Sequence, residues 1–187
     1  LALHNGRDPL NGRQLGPQTG DPCTFNTFEQ FWNAYTQQMD AFLEGALSCI
    51  QAAERCWPQI NPSPLIAGTI KECIARGRDI GQGGPIYNST GFVGAGLANV
   101  CDSLLALKQV VFEERRYTMA SLLDALKRNF ENNEPMRQYL LHRVPKWGNN
   151  HPDADALGQR IADYYCSKVH SFTNGRGGFC QAALFTL

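Results

Sequence analysis

The chain has 187 residues, 43% of them apolar and 18% charged, with 17 basic residues matching 17 acidic ones. That composition specifies a globular chain with enough residues for one domain's core and excludes a disordered one. Zero formal net charge argues against a binder that tracks nucleic-acid phosphates, which needs a basic excess or stripe, and no apolar run approaches the roughly 18 residues needed to span a bilayer, so neither nucleic acid nor membrane is expected as a partner.

Residues 1–26 are turn-rich: Asn5-Gly6, Asn11-Gly12, Gly16-Pro17 and Gly20-Asp21-Pro22 predict an irregular surface segment. Thr27-x-x-Gln30 fits a capping box, in which each side chain satisfies a free backbone donor. Phe28, Phe31, Tyr35, Met39, Phe42, Ala46, Ile50 and Ala53 then recur at helical spacing, predicting a long helix with a packed aromatic face that Trp57-Pro58 ends. Pro62 and Pro64 favour an extended linker. A shorter helix is expected from Leu65 to Arg76, stopped by Gly77, then a glycine-rich loop at Gly81-Gln82-Gly83-Gly84 and a strand at Pro85–Thr90. Gly91, Gly94 and Gly96 introduce a third helix through Leu97, Cys101, Leu104 and Val111. Thr118 is the candidate N-cap of a fourth, through Leu122, Leu126 and Phe130. Pro135 fits the first turn of a fifth, and Leu157, Ile161, Tyr165, Val169 and Phe172 mark a sixth. Asn174-Gly175-Arg176-Gly177-Gly178 reads as a flexible turn into a final apolar strand ending at Leu187. Helices alternating with covered strands predict an α/β architecture.

The chemical motifs are few. Gly81-Gln82-Gly83-Gly84-Pro85-Ile86 is not Gly-x-Gly-x-x-Gly, and no Lys-Ser or Lys-Thr pair follows, so a phosphate would meet no cation. The loop's glycines are read as permitting tight turns and close packing. His4, His142, His151 and His170 lack zinc-ligand spacing. No Gly-x-Ser-x-Gly elbow marks a serine nucleophile. The seven cysteines are widely spaced, with no Cys-x-x-Cys, and are read as reduced, mostly buried thiols of a cytoplasmic protein. Leu1-Ala2-Leu3 runs straight into polar residues and is not a signal peptide. The apolar run Ala182–Leu187 needs neighbours and cover, so the chain is expected to be a piece of a longer polypeptide.

Five blocks carry a family resemblance. Leu1–Pro22, which includes His4-Asn5-Gly6-Arg7-Asp8-Pro9, is similar to the segment following the active-site cysteine loop of glycyl radical enzymes, the pyruvate formate-lyase and diol dehydratase superfamily. Thr27–Phe31 resembles their next helix. Gln82-Gly-Gly-Pro-Ile-Tyr-Asn-Ser-Thr-Gly91 with Gly96–Leu104 is the most specific block, and Pro145–Asn149 and Asn174–Gly178 complete the family order. The resemblance implies a barrel of two half-sheets wrapped by helices, with residues 1–187 as a partial barrel domain truncated at both ends. It implies a radical lyase or formate acetyltransferase-like enzyme cleaving a C–C, C–O or C–N bond of a small substrate. A separate activating enzyme, using S-adenosylmethionine and an iron–sulfur cluster, would install the backbone glycyl radical, and a homodimer is expected.

Two departures follow. None of the seven cysteines lies in a Gly-Cys-x-Glu loop, and nothing matches the glycyl loop Arg-Val-x-Gly-Tyr; Arg176-Gly177-Gly178 is not that loop. This chain alone therefore offers no catalytic residue and no cofactor of its own, and is expected to be inactive. A non-catalytic scaffold or a split-gene assembly subunit is the competing reading. Family matching turns Phe185 and Leu187 toward the substrate, although the period of two equally admits them as ordinary core. In the first strand Asn88 and Thr90 share one face and Tyr87 and Ser89 the other. Tyr87, Asn88 and Thr90 are pocket candidates, and the pattern leaves open which face points inward.

Overall fold

A computed structural model describes residues 1–185; Thr186 and Leu187 lie outside the described residues. The chain divides into two compact units, one built from residues 1–42 and 96–162, the other from residues 43–95 and 163–185. Helix α1 (Phe28–Ile60) contributes to both. Its start is the expected capping box: Thr27 Oγ1 accepts from Gln30 N at 3.4 Å, and Gln30 Oε1 accepts from Asn26 N at 2.7 Å and Thr27 N at 3.3 Å. Its end differs from expectation, because Pro58 lies inside the helix. Proline lacks the N–H that would bond the carbonyl four residues before it, so it weakens the preceding turn but leaves the bonds of the following residues possible. Here a single turn follows, closed by Asn61 N donating to Trp57 O at 2.8 Å.

The first unit is helical. Helix α4 (Leu97–Leu107) begins at Gly96, whose φ of 81° suits glycine, and continues into a π-helical stretch, Lys108–Glu113. Helix α5 (Met119–Lys127) is capped as expected, Thr118 Oγ1 accepting from Ser121 N at 3.1 Å. Helix α6 (Glu134–His142) has Pro135 in its first turn, and helix α7 (Pro152–His170) begins in this unit. Phe28, Phe31, Trp32, Cys101, Leu105, Val110, Ala125 and Leu157 are buried among its core residues. The aromatic face of α1 is buried only at its start: Phe28 and Phe31 are enclosed, whereas Phe42, Ala46 and Ala53 are exposed. Arg160 stacks on Trp32, 4.0 Å from the ring centroid, while reaching Glu29 through two hydrogen bonds of 2.8 and 2.6 Å.

The second unit holds the described strands. The helix expected over Leu65–Arg76 is two short pieces, α2 (Pro64–Ala67) and α3 (Lys71–Arg76), separated at Gly68; Gly77 stops α3 in the left-handed region as expected. Strand β1 is Ser89–Ala95, not Pro85–Thr90, so two glycines read as a helix approach are strand residues. Gly94 shows why. A Cβ there would lie 3.0 Å from Tyr165 Cζ and 3.2 Å from Leu184 Cδ2, a close approach that strand glycines permit. Strand β2 (Phe179–Phe185) pairs with β1 in parallel, from Ser89 opposite Phe179 to Ala95 opposite Phe185. A parallel pair needs a crossover, which helices α4–α7 supply in sequence. The α/β expectation holds, with a small sheet and many helices.

Candidate functional site

Strand side chains alternate between faces. On one face of the pair Phe92 and Cys180 are buried, and Tyr165 of α7 donates its hydroxyl to Phe92 O at 3.0 Å. The other face carries Ser89, Gly91, Val93 and Ala95 from β1 and Phe179, Gln181, Ala183 and Phe185 from β2, all exposed. Val93, Phe179 and Phe185 are 69%, 52% and 54% exposed, large apolar groups on a bare surface. The sheet therefore has one face covered by this unit's own residues over Phe92 and Cys180, with Leu184 at its end 38% exposed, and one apolar face left open along its whole length.

A polar clasp fixes the start of both strands. Glu54 of α1 accepts from the Thr90 hydroxyl, from Gly175 N at 2.7 Å, and pairs with Arg176 at 3.4 Å. Arg176 Nη2 also donates to Ser89 O at 3.0 Å and Thr90 Oγ1 at 3.1 Å. Asn88 Nδ2 donates to Arg176 O at 3.0 Å, and the buried Asn174 side chain accepts from Arg176 N and Gly178 N at 3.0 and 2.7 Å. The glycine-rich loop meets this turn closely: a Cβ on Gly83, whose φ is 76°, would lie 2.7 Å from Arg176 O. Those glycines serve turn geometry and close packing, as expected. The segment Asn174–Gly178, expected as a flexible turn, is instead held on several sides.

The candidates from sequence fall in different places. Phe185 lies on the open face, opposite Ala95. Leu187 lies outside the described residues. Tyr87 precedes β1 and is 88% exposed. Asn88 and Thr90 are engaged in the clasp, with Thr90 on the closed face beside Phe92. Sequence reasoning did not single out Glu54, Asn174 or Gln181. Glu54 reaches partners 36 and 121 positions away, and no local pattern signals such contacts.

All seven cysteines are free, and the expectation of mostly buried thiols needs correction: Cys73, Cys101 and Cys180 are buried, Cys166 is intermediate, and Cys23, Cys49 and Cys56 are exposed. Of the exposed three, Cys23 lies in the short 3-10 turn Pro22–Thr24 and Cys49 and Cys56 lie on α1. Burial pushes the Cys73 and Cys180 thiols up, and that of Cys101 up to about 11, so these groups stay protonated and are poor nucleophiles. Among the described residues no group of three or more His, Cys, Asp or Glu could hold a metal ion. Among the described residues no helix is long and apolar enough to cross a membrane. A pocket of about 470 Å³ in the first unit is lined largely by leucines. Its Asp102 and Lys146 are already bonded to Trp147 N and Leu140 O, at 2.8 and 2.7 Å.

Residues 1–187 match the pyruvate formate lyase-like family. The chain is 33% identical over 169 residues to trans-4-hydroxy-L-proline dehydratase of Clostridioides difficile, covering 90% of this chain and 21% of that protein. The crystal structure of hydroxyproline dehydratase from the same organism, with its substrate trans-4-hydroxy-L-proline bound, matches with a TM-score of 0.95 at 32% identity, over 98% of this chain and 23% of that one. A glycyl radical enzyme from Archaeoglobus fulgidus matches with a TM-score of 0.89 at 28% identity, over 97% of this chain and 23% of that one. The chain thus spans less than a quarter of the length of each of these relatives.

Proposed function

Since the chain belongs to the pyruvate formate lyase-like family of glycyl radical enzymes, we propose that it builds one wall of the substrate cavity of a radical lyase acting on a small hydroxylated molecule. The observation that carries this reading is the asymmetry of the sheet. Its own unit closes the face bearing Phe92 and Cys180 and leaves the face bearing Val93, Phe179 and Phe185 bare. A parallel pair is normally covered on both faces, so the bare face is the one the rest of a barrel would enclose.

In the whole enzyme a backbone glycyl radical, installed by an activating enzyme that uses S-adenosylmethionine and an iron–sulfur cluster, would supply the hydrogen-abstracting cysteine thiyl. Neither radical site is assigned to this chain, whose buried thiols are held protonated and whose Arg176-Gly177-Gly178 turn is part of the clasp. The chain's contribution is positional. Phe185 and Val93 exclude water and bound the substrate, and the clasp holds the strands that carry them. Dehydration is the favoured reaction, because dehydratases of trans-4-hydroxy-L-proline and of (2S)-3-sulfopropanediol are among the relatives, beside sulfite-lyases of isethionate. The partners on this reading are the remainder of the enzyme, its activating enzyme and a second copy.

The test uses the full reading frame that contains these residues, expressed without oxygen beside an activating enzyme. Radical yield by electron paramagnetic resonance is measured beside turnover of trans-4-hydroxy-L-proline, glycerol and 1,2-propanediol. Phe185→Ala should leave radical yield unchanged and cut turnover on the order of a hundredfold, because small displacements of a reacting group cost that much. Normal turnover in Phe185→Ala, or radical yield collapsing with it, sinks the pocket assignment. A protein that takes up no radical is a scaffold.

A further inference from the structure

The open face is not uniformly apolar, and its exception names a recognition group. We propose that Gln181 is a specificity-determining residue of the cavity this face lines, hydrogen-bonding a hydroxyl of the substrate; the proposal rests on reading the face as a cavity wall. Six positions of the face, Gly91, Val93, Ala95, Phe179, Ala183 and Phe185, carry no polar side-chain atom. The two exceptions are Ser89, whose hydroxyl is short and sits at the strand's start, and Gln181, which reaches farther at the third position of β2.

The register gives Gln181 room for a ligand. It pairs with Gly91, and a Cβ built on Gly91 meets no atom within 4 Å. The missing side chain leaves a notch beside the carboxamide, flanked along the strands by Phe179 and Val93. The other polar side chains at this end of the sheet, Asn88, Thr90, Asn174 and Arg176, are engaged with one another or with backbone. Gln181 has no hydrogen-bond partner among the described residues, so its acceptor oxygen and donor nitrogen are both available. Enclosed in a cavity, an unpaired carboxamide is unfavourable, so its partner would come from the ligand.

The chemistry of the face selects that partner. A carboxylate or sulfonate held at this wall would be matched by arginine or lysine, and the face has neither. A hydrocarbon would gain nothing from a carboxamide. A neutral hydroxyl both donates to Oε1 and accepts from Nε2, which is what a carboxamide offers. The substrate class is therefore a small molecule presenting a neutral hydroxyl to β2, with any anionic group bound elsewhere in the enzyme.

The test uses the activated full-length enzyme with glycerol, 1,2-propanediol and trans-4-hydroxy-L-proline as probes. Gln181→Met keeps length and removes both hydrogen-bonding atoms. It should lower kcat/KM on a wild-type probe by about tenfold or more with glycyl radical yield unchanged. Gln181→Glu, which retains an acceptor at the same reach, should fall less. A Gln181→Met change under about threefold, or loss of radical in step with activity, overturns the role of Gln181 and leaves the wall assignment standing. A wild-type enzyme that forms no radical, or forms it and turns over none of the three probes, overturns the wall reading and this inference with it.

Discussion

Replacing Glu54 with glutamine tests whether the clasp holds the strands. The carboxylate receives the Thr90 hydroxyl and Gly175 N and faces Arg176, with side chains only 15% and 24% exposed for Glu54 and Arg176. Glutamine can keep its oxygen on Gly175 N and turn its amide nitrogen toward Thr90 Oγ1, which can accept. Both contacts then survive in neutral form. What disappears is the charge: hydrogen bonds to ionised groups contribute about 1.5–3 kcal/mol against about 1 for neutral ones, and Arg176 loses its counter-ion. The sum is about 2–3 kcal/mol, discounted for partial exposure. Local opening free energies are read by hydrogen exchange, and 1.4 kcal/mol corresponds to about tenfold. Glu54→Gln should therefore lower amide protection in residues 174–181 and 89–92 of the full-length protein by about 30–100-fold, while peptides of α5 and α6 stay unchanged. A change of less than about threefold at Gly175 and Arg176, or an equal loss across α5 and α6, would refute the clasp as the local anchor.

Other expectations follow from burial and charge. Cys73, Cys101 and Cys180, held protonated by burial, should resist iodoacetamide in the native protein and react in guanidinium, read by peptide mass spectrometry; native labelling of any of them would contradict their placement. The Arg160 guanidinium, hydrogen-bonded to Glu29, holds its carboxyl below the usual carboxylate range. The folded value is depressed, so this contribution is fully present above the ordinary Glu value of 4.5 and is lost as pH falls through the folded value. The pair is largely exposed, so the effect should stay below about 1 kcal/mol. Exchange protection of residues 28–33, corrected for intrinsic rates, should weaken slightly on acidification, and Arg160→Leu should remove that dependence.

What the sequence makes legible is what neighbours within one helical turn decide. The Thr27–Gln30 box, the Thr118 cap and the Gly77 stop each depend on groups three or four positions apart, and each is found as expected. Strand β1 fails that criterion. Gly91 and Gly94 weaken a strand by local propensity, and the reason for Gly94 is a tyrosine 71 positions later, read from the Tyr165 Cζ contact. The stripe on α1 shows the converse. Helical spacing shows which apolar residues share a face, but not whether anything covers them, and beyond Phe42 the face is largely exposed.

The same distinction separates the candidate site residues. Asn88 and Thr90 are pocket candidates by family likeness and strand position, and their side chains bond Arg176 and Glu54. Phe185 differs because it has no polar group to satisfy, so its position follows from register alone: opposite Ala95, two residues beyond Ala183, on the bare face. Register is all or nothing, since a shift of one residue exchanges the faces. Here it is fixed at the strands' start by Glu54, Asn174 and Arg176, and beside Phe92 by the Tyr165 hydroxyl. The polar residues of this sheet thus divide by task. Those at or before the start of each strand set the register, which leaves Gln181, farther along β2 and longer than the Ser89 hydroxyl, as the polar side chain with the reach to meet a ligand.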